Sequence, residues 1–433
     1  MFPSHDQVFP IMDNLYIDTH FFAVPYRLVW DNWQKFNGEQ ANPSDSTDYL
    51  VPTMTSTAST GYSNGSLHDY FGIPTEVPDL VHDSLFHRAY NLIWNEWFRD
   101  ENLQDSVVVD MDDGPDSPTD YVLLKRGKRY DYFTSCLPWP QKGDAVDLPL
   151  GTSAPVDADG TNPQLRTDND ATDRYMYLNV SGNVTYQGTT STDLAQWGSN
   201  TGLVADLSDA TAATINQLRQ AFQIQRLYER DARGGTRYIE IIRSHFGVVS
   251  PDARLQRPEY LGGGSSPIMI SPVPQTSSTD ATSPQGNLAA YGTGTMHNHG
   301  FTKSFTEHCM IIGLASVRAD LNYQQGLNRM FSRQTRWDFY WPALSHLGEQ
   351  AVLNKEIYAD ASASDELVFG YQERFAEYRY KPSMVTGQFR SNYATSLDAW
   401  HLAQDFASLP ALNDSFIQEN PPIDRDWETI EGL

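Results

Sequence analysis

The stretch LYIDTHFFAV at residues 15–24 places Leu15, Ile17, Phe21 and Ala23 on one side and Asp18 and His20 on the other. That alternation is the signature of a half-buried strand, and Pro25 ends it. A second stretch, FTEHCMIIGLASVR at residues 305–318, keeps polar Thr306, His308, Ser316 and Arg318 towards its ends. Its middle is apolar on both faces, as expected of a central strand covered on both sides. Residues 238–242 and 374–380 also read as strands, the latter with Ala376, Tyr378 and Tyr380 on one face. Helices are few. Residues 84–98 align Leu85, Ala89, Leu92, Ile93 and Trp97 in one stripe behind Ser84 as N-cap, and residues 214–233 form a second periodic segment stopped by Gly234-Gly235. Two helices among well-spaced strands and turns predict a mainly β protein, a sandwich or barrel.

Between these elements lie three stretches that read as long loops. Residues 37–78 are rich in Ser, Thr, Gly, Asn and Pro, and residues 262–300 are dominated by Ser, Pro, Thr and Gly. Residues 144–212 hold ten Asp and two Arg with no Glu or Lys, a local charge of −8. Within that acidic stretch, YMYLNVSGNV at 175–184 has the pattern of a small strand pair. Loops this long are functional or disordered more often than not. The texture predicts one core spanning residues 1–433 with long excursions, although length alone would suggest more domains.

Composition narrows the function. The 433 residues carry 30 Lys+Arg against 55 Asp+Glu, a net charge of −25, with 39% hydrophobic and 12% aromatic residues. Fibrous and fully disordered classes are excluded. The longest apolar run, residues 310–315, is far too short to span a bilayer, so no membrane insertion is expected. The first 26 residues contain no Lys or Arg, which argues against a secretory signal. Cys136 and Cys309 permit at most one disulfide and read as buried thiols. So acidic a chain is not drawn as a whole to nucleic acid, and contact would need local basic patches.

Two such patches exist. Lys125, Arg126, Lys128 and Arg129 cluster beside Tyr130, while Arg329, Arg333 and Arg336 interleave with Phe331, Trp337, Phe339, Tyr340 and Trp341. Arginine beside aromatic planes suits single-stranded nucleic acid, because bases stack while phosphates are neutralised. The alternative is an ion-pair network with the many acids, within or between subunits. A metal site is the other candidate: His297 and His299 at i and i+2, with Glu307 downstream, would share one side of a strand. Cupin enzymes use such an HxH pair with a Glu three or four residues on. Here the Glu follows eight positions after His299, which favours locally hydrogen-bonded histidines. Gly262-Gly263-Gly264 lacks the Lys-Ser/Thr of a phosphate cradle and reads as a flexible loop entry. No G-x-S-x-G signature is present.

Seven segments together resemble the major capsid protein of microviruses, nearest the gokushovirus branch. They are FPIMDNLYIDTHFFAVPYRLVWDNWQKFNGE (9–39), YDYFTSCLPWPQKG (130–143), INQLRQAFQIQRLYERDARGGTRYIEII (215–242), HFGVVSPDARLQRPEYLGG (245–263), FYWPALSHLGEQAVLNKEIY (339–358), VFGYQERFAEYRYKPSMVTGQFRS (368–391) and FIQENPPIDR (416–425). They keep the family's order over about half the chain. The resemblance implies an eight-stranded viral jelly roll, an antiparallel sandwich with large interstrand insertions. Such subunits form a T = 1 icosahedral shell around circular single-stranded DNA, with no catalytic residues and no cofactor. Residues 144–212 lie where the family's variable insertion builds a protrusion at the three-fold axes, a candidate host-attachment surface. The implied partners are further copies of the chain, the genome, a small basic DNA-binding protein, other virion proteins and a host cell-surface receptor. The implied location is the virion, assembled in the host bacterial cytoplasm. Trp30, Trp33, Trp139, Trp337, Tyr340 and Trp341 are the candidate subunit-interface anchors, with core packing inside one subunit equally compatible. Mutual repulsion of acidic subunits predicts assembly helped by salt or divalent cations.

Overall fold

The computed structural model describes residues 11–146, 215–249, 251, 256–277, 285–286, 288–345 and 347–423. Between 147 and 214 it describes residue 161 and six short strands. The chain divides into two compact units, one of Met1–Lys142 with Glu229–Leu433 and the other Gly143–Tyr228.

In the larger unit, strand β1 (Leu15–Pro25) is the LYIDTHFFAV segment. Hairpin strands β2 (Thr53–Thr55) and β3 (Val81–Asp83) precede helix α1 (Leu85–Ile93). Helix α2 (Ile215–Gly234) begins within the smaller unit and enters this one at Glu229, and α3 (Tyr238–Phe246) comes next. Strands β4 (Glu259–Pro274), β5 (Leu288–Gly294) and β6 (Cys309–Ala319) follow, and β7 (Glu349–Leu353) pairs with β8 (Val368–Glu373). The main sheet runs β5-β4-β1-β6, antiparallel throughout. Leu15 lies opposite both Ile268 and Ala319, and a bulge interrupts the β4 side between Phe21 and Phe22. The described elements make a mainly β subunit with few helices.

The core forms where the sheet meets α1. Leu85, Ala89 and Ile93, spaced four apart, turn one helical stripe onto Phe22, Val24, Met310 and Ile312. Trp30 closes this cluster with no exposed surface, and its Nε1 donates to Asp113 Oδ1 at 2.7 Å. The Ser84 side chain makes no capping bond. Asp83 Oδ1 accepts from the Leu85 N–H at 2.7 Å in its place. A second core gathers Tyr132, Phe133, Cys136, Val352, Phe369 and Phe416. Cys136 is buried and Cys309 half-buried, both free thiols.

Several expectations change. The 305–318 segment yields β6, but at the sheet's edge rather than its centre. Met310 and Ile312 are buried, whereas Ile311 and Val317 on the other face are about half exposed. Residues 238–242 belong to helix α3, which Gly247 closes in a left-handed conformation at φ 68°. Residues 374–380 leave the strand: β8 stops at Glu373, Phe375 sits at φ 65°, and Ala376–Tyr378 is a helical turn. Among the described residues of 262–300, 262–274 and 288–294 are strand rather than loop. Gly263 and Gly264 run through β4 where a Cβ would strike the Thr19 carbonyl and the His299 ring, so glycine here allows close approach.

The smaller unit carries a four-stranded antiparallel sheet in the order Val184–Tyr186, Asp170–Leu178, Gln164–Thr167, Ala195–Trp197. Val156–Ala158 pairs separately with Leu203–Ala205. Met176 pairs with Tyr186 and Leu178 with Val184, so a strand pair does form here, but its second strand only begins at Val184, and residues 179–183 lie outside the described residues.

Candidate assembly and nucleic-acid surfaces

The first basic patch folds back onto its own sheet. Arg126 Nη1 donates to Asp18 Oδ2 at 2.8 Å and to Ser316 Oγ at 2.9 Å, bridging β1 and β6. Burial would raise the Asp18 carboxyl, but hydrogen bonds from Ser265 and Arg126 hold it below the usual range. Arg129 meets Asp320 at 3.2 Å and lies 4.8 Å over the Tyr16 ring. Lys128 donates to Gln404 Oε1 at 2.9 Å and sits 4.0 Å over Phe416. Burial pulls its pKa down to about 8. Lys125 is exposed, 3.2 Å from the Asn420 amide oxygen.

The second patch is divided. Arg329 Nη1 bonds Glu356 and the Ala351 carbonyl, each at 2.7 Å, and Arg333 reaches Glu377 at 3.5 Å. Arg336 instead stays at the surface, 4.1 Å over the Trp337 ring and 5.6 Å over Trp341. Around it Trp337 is 50%, Phe339 and Tyr340 52%, and Trp341 42% exposed. Of the other expected anchors, Trp33 is half-buried, stacked 4.3 Å from Tyr26, and Trp139 is half-buried. Trp30 is a correction: wholly enclosed in the subunit core, it has no surface left to offer a neighbour.

One buried cation was not singled out from sequence. Arg318 bonds Glu419 Oε2 at 2.8 Å and the Gly127 carbonyl at 2.7 Å. Its place at the polar end of β6, on the same face as Ser316, was the available signal.

The His297, His299 and Glu307 set does not come together. Residues 295–300 lie outside the strands, and Asn298 at φ 61° turns the chain between the histidines. His299 is held by Thr19 Oγ1 at 2.9 Å and Ser266 Oγ at 2.8 Å, and Glu307 forms an ion pair with Arg27 at 2.8 Å. Among the described residues no group of three or more His, Cys, Asp or Glu side chains is arranged to hold a metal ion. Nor is any described helix long and apolar enough to cross a membrane.

The described surface thus carries a half-exposed aromatic belt beside cations that are largely paired within the subunit. Residues 4–430 match the family described as Capsid protein (F protein), and the chain belongs to that family. It is a structural protein of a bacteriophage virion, not an enzyme. The chain is 54% identical over 439 residues to "Capsid protein VP1" of Bdellovibrio phage phiMH2K, covering 97% of this chain and 80% of that protein. It is 44% identical over 492 residues to the protein of the same name in Chlamydia phage 1, at 96% and 82% coverage. For Spiroplasma virus 4 the identity is 41% over 443 residues, at 95% and 79%.

Proposed function

We propose that copies of this chain tile a closed T = 1 icosahedral shell around circular single-stranded DNA, each copy an eight-stranded jelly roll with long interstrand insertions. The observation that carries this reading is the belt at 331–341, where large aromatic rings stand open beside Arg336 in a capsid-family chain. Stable interfaces of roughly 1,200–2,000 Å² are anchored by such residues. Trp337, Tyr340 and Trp341 are the proposed anchors, with Trp33 and Trp139 in supporting positions. The antiparallel sheet on its Phe22–Met310 core supplies one wall of the sandwich. Residues 1–433 act as one capsid domain in which 37–78 is a long excursion that carries β2 and buries Met54, Tyr62 and Leu67, and 144–212 is the three-fold protrusion that meets the host receptor.

Lys125, Arg129 and Arg336 are the proposed contacts to the DNA backbone. Arg126, Lys128, Arg329 and Arg333 stand behind them, each already engaged within the subunit. With −25 per copy the shell is a poor counter-ion for its genome. A small basic DNA-binding protein therefore accompanies the DNA inside, alongside other virion proteins, and particles form in the host bacterial cytoplasm. Negative-stain imaging of the expressed protein tests the reading. Closed isometric particles are expected, lost in the double variant Trp337→Ala/Trp341→Ala while each subunit still folds. A protein that stays monomeric under all salt conditions would reject it.

A further inference from the structure

Two cavities of similar size flank Arg99 and Tyr130 in the larger unit. One, of about 770 Å³, is lined by five arginines and five carboxylates, and Arg233, Arg237 and Arg379 there pair with Glu349, Glu101 and Glu373. Its charges balance, and it asks for nothing. The other, of about 730 Å³, does not balance. Five cations line it (Arg99, Arg126, Lys128, Arg129 and Arg318), against Asp18 and Asp100 as the lining carboxylates; Asp320 answers Arg129 and Glu419 answers Arg318 from behind the wall, while Lys128 and Arg99 make no salt bridge among the described residues. Such an excess of positive charge stands out in a chain of net charge −25.

The excess is built into the fold. Asp18 is shared, 2.8 Å from Arg126 and 3.9 Å from Arg318. Arg99 donates Nη1 to the Gln104 carbonyl at 3.1 Å, while its buried Nε has no partner. Lys128 is most of the way buried and makes no ion pair among the described residues, its ammonium donating to the neutral Gln404 amide. Asp131 and Glu419 act on the ammonium only from beyond salt-bridge distance, and a desolvated cation held this way gains when something negative joins it. The cavity also holds flat aromatic surface: Tyr130 is 75%, Tyr260 42% and Trp97 38% exposed. Its volume falls within the range of about 300–1,000 Å³ usual for small-molecule sites.

We propose that this cavity binds a phosphate-bearing nucleotide, its phosphate among Lys128, Arg129 and Arg99 and its base against the Tyr130 and Tyr260 rings. Guanidinium and ammonium donors supply charge-assisted bonds to the phosphate, and stacking on aromatic faces tolerates any base. A free nucleotide and a nucleotide of single-stranded DNA present the same group, so the inference does not depend on what the shell contains.

Calorimetric titration of the purified full chain at low salt tests it, with thymidine 5′-monophosphate, thymidine and a short oligothymidylate as probes. The monophosphate is expected to bind about tenfold or more tightly than thymidine. Lys128→Met should weaken the monophosphate about tenfold or more and leave thymidine unchanged. That variant removes an unpaired buried charge, so its unfolding transition should persist. Arg129→Gln, at an exposed position, provides a second reading with a smaller loss in the same direction. Displacement of the monophosphate by the oligomer would identify a DNA strand as the source, and its failure to displace would identify the free nucleotide. Equal binding of thymidine and its monophosphate, an unchanged affinity in both variants, or no wild-type binding at millimolar monophosphate would each overturn the proposal.

Discussion

Three histidines lie together beneath the loop that joins β2 to α1, and their protonation should set the acid limit of the folded subunit. His68 Nδ1 and His87 Nε2 are 2.9 Å apart, and the His82 ring stands 5.3 Å from that of His87. One proton is shared across the His68–His87 contact, and His87 Nδ1 is buried without a partner. His82 completes the set with its Nδ1 at 2.8 Å from the Asp83 carbonyl and its Nε2 at 2.8 Å from the Tyr62 hydroxyl. Asp116, whose charge acts on His87, is engaged by the buried Arg88 and by Tyr121. Burial first, then the neighbouring imidazoles, push His68 down to about 4 and His87 to about 3. In the unfolded chain both titrate near 6.5. Between about 6.5 and 4 the unfolded state therefore binds more protons, so acid removes stability in that window and the contribution is complete above it. From pH 7 to pH 5 each histidine costs about 2 kcal/mol, about 4 kcal/mol for the pair. Urea unfolding of the purified chain across this range, compared with His68→Gln/His87→Gln, isolates the effect. The wild type should lose about 4 kcal/mol more than the double variant over those two pH units. Parallel losses in the two proteins would refute the argument.

Asp116→Ala removes the buried partner of Arg88, a side chain with no exposed surface, and leaves it only the solvent-exposed Asp112 carboxylate at 3.5 Å as a counter-ion. It should cost about 3–5 kcal/mol in chemical denaturation, and an unchanged midpoint would contradict a buried ion pair. Deleting residues 144–212 should spare particle formation and reduce adsorption to host cells, measured by particle counts against bound fraction. Full adsorption would remove the loop from attachment. Because subunits of charge −25 repel, light scattering should show faster assembly on adding moderate salt or divalent cations, and indifference to both would exclude charge repulsion as a barrier.

What could be read from the chain, and what could not, follows the range of the forces involved. β1 was legible because alternation and a terminating proline are local facts. Helices α1 and α2 were legible because period 3.6 is local too. Helix α3 was missed because a short run such as YIEII satisfies both periods, and only Gly247 marks the helical end. The glycine triplet in β4 looked like a loop because its reason lies elsewhere, in the Thr19 backbone and the His299 ring that crowd it. The same limit governs the functional surface. Sequence revealed which segments were basic or aromatic, but Arg126 meets an acid 108 positions away and Trp30 one 83 positions away. Such partners turn an expected contact residue into a structural one. β6 shows the converse. Its apolar outer face resembled that of an enclosed central strand, yet Ile311 and Val317 lie open on an edge. Apolar residues that the subunit itself leaves uncovered are what a chain made to be covered by others should carry. In such a protein a hydrophobic pattern reports burial in the assembly as well as in the fold, and single-chain reasoning will place some interface strands too deep.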